Sequence, residues 1–214
     1  MSLIPLGTEI VKAIGRPIET ACNLLEAVLG QPCEAVGGLL TDQIHAWQWK
    51  RRIAILEEAE SILARKGIAS RVLPPAFAIP FLRESGDSAD ENLQTAWANL
   101  LASAVESDQN CHIGFVHTLK QLSPADALVL AAMFELGPVP PSEQVDRLAD
   151  ATGLEREIVV MSFADFERLG FFTPTRKRLK SFAFHFARAC FENHDAIELY
   201  REKQGELPTT PIAD

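Results

Sequence analysis

Four cations crowd into the segment "TRKRLKSF", residues 175–182, where they are Arg176, Lys177, Arg178 and Lys180. Cations at this density can contact the phosphates of a nucleic acid. The whole chain, however, has 20 Lys and Arg against 29 Asp and Glu, a formal net charge of −9. Because this mean charge opposes non-specific binding to nucleic acid or to an anionic bilayer, any such contact has to be local. The alternative is that the four cations only solvate a turn.

A second cluster, "WQWKRR", combines rings and cations: Trp47, Trp49, Lys50, Arg51 and Arg52. Aromatic rings beside cations are typical of sites that bind single-stranded nucleic acid. The residues that follow supply Glu57, Glu58 and Glu60 close by, so a solvated helix face is favoured over such a site. We interpret these five residues as a candidate interaction surface for a protein partner.

The sequence contains no recognisable catalytic, cofactor-binding or metal-binding motif. His185 alternates with phenylalanines and is interpreted as structural. Cys111 does not share one helical face with both His112 and His117, so no metal site is predicted. A catalytic site assembled from distant residues leaves no short signature. An enzyme therefore stays open as an interpretation, although a non-enzymatic protein without a cofactor is favoured.

The sequence favours a cytoplasmic protein. No apolar run reaches the about 20 residues needed to cross a bilayer, and the first residues do not have the pattern of a signal peptide. Cys22, Cys33, Cys111 and Cys190 show no CxxC spacing, which predicts reduced thiols. The pattern "RPIETACNLLEAVLG" predicts a helix that begins at Pro17 and ends before Gly30. Its polar face is acidic, which favours packing on the protein body or a second subunit over peripheral membrane contact.

Helical patterns dominate the first 122 residues. One runs from about Pro32 to Lys66 and ends at Gly67, whereas prolines 74, 75 and 80 predict an irregular crossing with at most a short helix. A capping box of Ser88 and Glu91 predicts the start of the next helix. A short helix is predicted around "FVHTLKQL". The helix after the capping box has a predicted core-facing stripe: Leu93, Trp97, Leu100, Leu101 and Ala104.

Three further helices are predicted after residue 122. The first is capped by Ser123 and starts at Pro124, the second is capped by Ser142 and ends at Gly153, and the third, "LEREIVVMSFADFERL", ends before Gly170. Two short strands are then predicted, in "FFT" and in the alternating "SFAFHF". Three helices followed by two strands around a basic loop is the order of a winged helix-turn-helix, with the four cations in the wing.

The predicted third helix is poorly suited to reading DNA. Its charged residues are mostly acidic: Glu155, Glu157, Asp165 and Glu167 against Arg156 and Arg168. Without a basic recognition helix, the cations of the wing would make only weak, sequence-independent contacts with phosphates. Protein contact or solvation of the wing is therefore favoured, and nucleic acid is not the favoured partner. The predicted fold is mainly α, with an N-terminal helical portion, residues 1–122, and a winged-helix-like portion with a short β-hairpin, residues 123–214.

Four stretches of the sequence resemble the bacterial abortive-infection alpha family: "TDQIHAWQWKRR", "LPPAFAIPFLRESGD", "DENLQTAWANLLASAVES" and "HIGFVHTLKQLSPADALVLAAM". The resemblance is clearest over residues 35–135. It implies a role in defence against bacteriophage, in which the infected cell stops supporting phage growth, but it implies no catalytic residue, cofactor or substrate.

We therefore expect a non-enzymatic phage-defence factor that acts by protein–protein contact. The helix around Trp47 and the N-terminal helix are the expected effector or homo-oligomer surface, since their small and apolar residues exceed what a surface helix needs. A winged-helix DNA-binding transcriptional regulator is the first alternative. A peripheral membrane-acting toxin that uses residues 3–40 is the second.

Overall fold

The computed structural model describes residues 17–30, 46–86, 90–173 and 178–206. Over these ranges the chain is mainly helical, with ten α-helices and no strand. It divides into two compact units, Met1–Gln121 and Leu122–Asp214. The prediction of a mainly α protein is confirmed.

The described helices of the first unit are α1 to α5. Helix α4 packs on α2, which also packs on α1, and α3 packs on α5. A short 3-10 turn, Asp108–Asn110, links α4 to α5. The bounds are α1 Pro17–Leu29, α2 Ala46–Lys66, α3 Pro75–Glu84, α4 Glu91–Glu106 and α5 Ile113–Gln121.

The predicted ends of α1 and α2 are confirmed. Gly30 follows α1 with φ of +63° and Gly67 follows α2 with φ of +67°, which is the left-handed conformation that ends many helices. Residues 31–45, over which α2 was expected to begin, lie outside the described residues.

The core of the first unit forms around Trp97 on α4. The indole ring meets Phe81 edge-on at 5.4 Å between centroids, and Phe81 in turn stacks on Phe77. All five residues of the predicted α4 stripe are buried. Asp90 caps the helix, since its carboxylate accepts a hydrogen bond from the Leu93 amide at 3.2 Å. The predicted cap, Ser88, lies outside the described residues.

Helix α3 is more regular than its prolines suggest. We expected an irregular crossing, but the helix has ten residues and continues through Pro80. Pro75 stands in the first turn, where its missing N–H costs nothing, whereas Pro80 removes one backbone hydrogen bond. The apolar face of α3 compensates for that loss by burying four side chains, those of Phe77, Ala78, Phe81 and Leu82.

The second unit contains helices α6 to α10. Helix α8 packs on α6 and α7, and α10 packs on α9 and α6. Ser123 and Asp126 form a reciprocal capping box at the start of α6, which confirms the predicted cap. The bounds are α6 Pro124–Leu136, α7 Pro141–Thr152, α8 Arg156–Arg168, α9 Ser181–Cys190 and α10 His194–Glu206.

The predicted cap of α7 is wrong. The helix begins at Pro141 with Pro140 at the N-cap and without a side-chain cap, so Ser142 already lies inside it. Proline at the first helical position starts the helix by itself because its φ is fixed near the helical value. The predicted ends of α7 at Gly153 and of α8 before Gly170 are confirmed.

The predicted strand over "SFAFHF" is also wrong, because these residues form the first part of α9. Phe182, Phe184 and Phe186 do alternate, but a helical stripe at spacings of three and four runs through the same residues. The stripe is completely buried and consists of Ala183, Phe186, Ala187 and Cys190. A helix also pairs its interior backbone groups within the segment, whereas a strand needs a partner strand.

A winged-helix-like portion with a β-hairpin is not supported by the structure. Within the described part of the second unit, one isolated antiparallel bridge, between Phe172 and Leu179, stands where two strands were expected. Phenylalanines fill the core beside it. Phe171 lies 5.6 Å from Phe166 and 5.4 Å from Phe186 between ring centroids.

Candidate functional site

The candidate surface at the start of α2 divides into exposed and buried parts. Lys50 is exposed and Arg51 half-buried, whereas Arg52 is only 2% exposed. The side chains of Trp47 and Trp49 lie outside the described residues. Consequently, Lys50 and Arg51 are the residues of the predicted surface that the structure places at or near solvent, and Arg52 belongs to the interior.

Arg52 holds the end of α3. Its Nε donates to the carbonyl of Leu82, and its Nη2 donates to the carbonyl of Arg83 at 2.9 Å. Both carbonyls lie in the last turn of α3, where no later helical N–H reaches them. The guanidinium also places positive charge at the negative end of the helix dipole. Arg52 is therefore a helix cap from a distant helix, which its place in a basic run does not predict.

Gly86 lets the chain after α3 lie directly on Arg52. A Cβ atom at position 86 would stand 2.7 Å from the Cζ of Arg52, closer than real Cβ contacts come. Any other side chain at Gly86 must therefore displace a guanidinium that two carbonyls hold in place.

Arg71 holds the end of α4 in the same manner. Its Nε donates to the carbonyl of Val105 and its Nη2 to that of Ala104, both at 2.6 Å, while Nη1 pairs with Asp108. The hydrogen bond to Asp108 is the largest cause that raises the pKa of Arg71. We call Arg52 and Arg71 the two arginine caps, since each terminates a helix of the first unit.

Cys111 lies beside the Arg71 cap. Its Sγ contacts the Ala104 carbonyl at 3.4 Å and lies 3.9 Å from Nη2 of Arg71. Burial raises the pKa of the Cys111 thiol, although the cation of Arg71 acts in the opposite direction. A thiol with a raised pKa is a poor nucleophile.

The two histidines near Cys111 are placed on the surface. His112 is exposed, and its Nδ1 accepts a hydrogen bond from the Gly114 amide at 3.1 Å, at the start of α5. His117 is exposed on α5. Over the ranges that the structure describes, no three His, Cys, Asp or Glu side chains are grouped so that they could hold a metal ion.

The prediction of reduced cysteines needs one correction. Cys22 is disulfide-bonded, whereas Cys111 and Cys190 are thiols. Burial raises the pKa of Cys190 well above its usual value. Cys33 lies outside the described residues. The absence of a CxxC motif could not reveal the disulfide, because pairing depends on which cysteines the fold brings within bonding distance.

The basic segment is described only at its end. Arg176 and Lys177 lie outside the described residues, Arg178 is half-buried and Lys180 is exposed. Leu179, between them, is buried. Its N–H donates to Oε1 of Gln204 at 2.7 Å, and its carbonyl accepts from Nε2 of Gln204 at 3.0 Å. Sequence reasoning missed Gln204, since a glutamine near the end of a polar helix carries no distinctive signal.

Helix α8 presents charged residues at both ends. Glu155 and Glu157 are exposed, while Asp165 and Glu167 are half-buried. The two cations of the helix are paired with carboxylates: Arg156 with Asp146, and Arg168 with Asp165 at 3.0 Å. His185, predicted on a strand, is instead an exposed residue of α9.

None of the helices in the described ranges is both long enough and apolar enough to cross a membrane. The segment proposed for the membrane toxin, residues 3–40, is described only from 17 to 30.

One family matches the chain. The family model described as "Abortive infection alpha" covers residues 50–163, more than half of the 214 residues. The matched region begins within α2 and ends within α8, and it contains both arginine caps and Gly86. Neither the curated proteins nor the solved structures contain a match to this chain.

Proposed function

The chain belongs to the abortive infection alpha family, and from this premise we propose that it is a cytoplasmic, non-enzymatic factor of phage defence that acts by contact with another protein. The observation that carries the proposal is the family match over residues 50–163. This region includes most of α2 and all of α3 to α7.

The chemistry of the matched region supports a binding role. Three charged side chains of this region have structural roles: Arg52 and Arg71 bind helix carbonyls, and Asp126 belongs to a capping box. The Cys111 thiol has a raised pKa. Within each unit these residues hold helix ends in place, and a surface carried on well-held helices suits a protein that binds a partner.

We propose the turn of α2 around Lys50 and Arg51 as the contact surface, together with the neighbouring Trp47 and Trp49. Lys50 is exposed on a chain of net charge −9, so this turn presents a cation on a molecule that is acidic as a whole. Opposite charge on the partner increases the association rate and selects the partner. The partner that fits is a protein with an acidic surface.

Phage plating tests this surface. We expect Lys50→Glu with Arg51→Glu to lower protection at least tenfold, as measured by plaque counts and by survival of infected cells. The matched control is Arg201→Glu with Lys203→Glu on α10, which makes the same charge change at two exposed helical positions outside the family match. Equal protection by wild type and the α2 variant, with both variants folded by circular dichroism, would contradict the proposed surface.

The basic segment provides a second arm of the same experiment. If the chain acts by protein contact through α2, protection should stay unchanged when alanine replaces Arg176, Lys177, Arg178 and Lys180. If that variant loses protection while the α2 variant keeps it, the contact surface is wrong. A salt-dependent shift of duplex DNA that disappears in the same variant would favour a nucleic-acid partner instead.

A further inference from the structure

The solvent face of α8 carries apolar side chains. Val160 is 54% and Met161 is 62% exposed, and Ala164 beside them is exposed as well. The opposite side of the helix packs inward, with Val159 and Phe166 completely buried. The outer face of a surface helix is ordinarily polar. These three residues form one patch because spacings of three and four residues place them on the same side of the helix.

One charged residue flanks this patch at each end. Glu157 lies four residues before Met161, and Arg168 lies four residues after Ala164, so both belong to the same face. We call Glu157, Val160, Met161, Ala164 and Arg168 the outer face of α8. Its two charges are eleven positions apart, which corresponds to about 16 Å along the helix at 1.5 Å per residue.

We propose that the outer face of α8 binds a second copy of this chain, with the two α8 helices antiparallel across a two-fold axis. Four of the five residues of the face, Glu157, Met161, Ala164 and Arg168, are complementary to one another in this arrangement. If the axis passes between residues 162 and 163, Glu157 of one copy lies opposite Arg168 of the other. The same axis places Met161 opposite Ala164, so a long side chain meets a short one and the helices can approach closely.

The existing ion pair in α8 fits this arrangement. Within one copy, Oδ1 of Asp165 lies 3.0 Å from Nη2 of Arg168. The carboxylate of the second copy's Glu157 would approach the same guanidinium, which has donors for more than one carboxylate. The two-fold axis generates this contact twice. A parallel arrangement would instead put like charges together at each end, which disfavours it.

The area involved predicts a weak dimer. One pair of 13-residue helices covers less surface than a standard stable interface of about 1,600 Å². We therefore expect a reversible equilibrium between monomer and dimer that becomes visible only at high protein concentration. This inference does not rest on the proposed function, since the self-complementary face is present whatever the chain does.

Sedimentation equilibrium of the full chain, with charge-reversed variants, tests the proposal. We expect wild type to dimerise with rising concentration, and Glu157→Arg and Arg168→Glu each to weaken the dimer at least tenfold. An equimolar mixture of the two variants should regain a dimer, because every opposed pair in the mixed dimer is again one cation and one carboxylate. Lys203→Glu, on another helix, should dimerise as wild type does.

Restoration in the mixture distinguishes a lost contact from a damaged fold, because misfolded variants would not associate when mixed. Wild type that stays monomeric throughout the concentration range would overturn the proposal. The proposal would also be overturned if either variant alone dimerised as strongly as wild type, or if the mixture of the two stayed monomeric.

Discussion

Gln204 pairs with Leu179 as if its side chain were the backbone of a neighbouring strand. The amide accepts from the Leu179 N–H at 2.7 Å and donates to the Leu179 carbonyl at 3.0 Å. On the other side of Leu179, the bridge to Phe172 is made by the adjacent hydrogen bonds, from Thr173 to Arg178 and from Lys180 to Phe171. The backbone groups of Leu179 therefore point away from Phe172, and Gln204 satisfies them without a further strand.

Replacing Gln204 with Glu should destabilise the protein in a pH-dependent manner. At neutral pH, a carboxylate cannot donate to the Leu179 carbonyl, and we expect a loss of about 1–3 kcal/mol in the free energy of unfolding. The pKa of the new carboxyl is raised in the folded state, because burial disfavours its charge and because only its protonated form can donate to the Leu179 carbonyl. The loss should be complete above that raised pKa and should shrink as the pH falls through it, because the protonated acid can donate again.

Urea unfolding of Gln204→Glu near pH 7 and near pH 4.5, relative to wild type at each pH, measures this effect. Gln204→Leu is the matched control. It removes both hydrogen bonds at every pH, so its loss relative to wild type should not depend on pH. An equal loss in Gln204→Glu at the two pH values would show that the amide does not donate to Leu179.

Arg52 and Gly86 should be energetically coupled. Gly86→Ala places a methyl group against the Arg52 guanidinium and should destabilise the first unit by about 1–3 kcal/mol through overpacking. Arg52→Lys keeps the charge but removes the planar fork that binds the Leu82 and Arg83 carbonyls. We expect each single variant to unfold at lower urea concentration than wild type.

The double variant decides whether the two effects share a cause. Lysine leaves more room near position 86, so Gly86→Ala should cost less in the Arg52→Lys background, with a coupling of about 0.5–3 kcal/mol. Purely additive losses in the cycle would mean that Gly86 is needed for a reason other than the approach of Arg52.

The sequence predicts the helices better than it predicts the partners of their ends. The stripe through Trp97, the N-cap at Ser123 and the glycine at position 153 are local signals, and the structure confirms each. Arg52 and Arg71 carry no such signal, because the carbonyls they bind are 30 or more residues away in the chain. Their role depends on how helices are arranged in space.

The prediction of a strand in "SFAFHF" was wrong because two periods coexist in one segment. In residues 181–190, alternating phenylalanines suggested a strand, while Ala183, Ala187 and Cys190 supplied the helical stripe that the protein buries. Once this segment is helical, the two-stranded wing is lost. The interpretation of the basic segment as a wing therefore depended on the weakest local signal.

Tyr200 provides a direct measure of burial in the second unit, because it is the single tyrosine of the chain. Its ring contacts Phe134 edge-on at 5.5 Å, and burial raises its pKa to about 12. In the folded protein, the ultraviolet absorbance of tyrosinate should therefore appear about two pH units above the ordinary tyrosine pKa of about 10. Titration near 10 at a pH where circular dichroism is still native would mean that the ring is exposed.

The raised pKa of Tyr200 also determines how stability depends on alkaline pH. The unfolded protein releases the phenolic proton near pH 10, whereas the folded protein retains it until about pH 12. Tyr200 therefore contributes its full stability below about pH 10, and that contribution decreases as the pH rises toward 12. Tyr200→Phe lacks the proton and should lose less stability than wild type between these pH values, as urea unfolding at pH 9 and pH 11 would show.

The cysteines should react with iodoacetamide in a fixed order. In the native protein at pH 8, Cys111 should react more slowly than a free thiol because burial raises its pKa. Cys190 should not react, since it is completely buried and its pKa is raised further. In denaturant without a reductant both should be labelled, whereas Cys22 should require prior reduction because it is disulfide-bonded. Peptide mass spectrometry identifies each site, and a Cys22 labelled without reductant would contradict the disulfide.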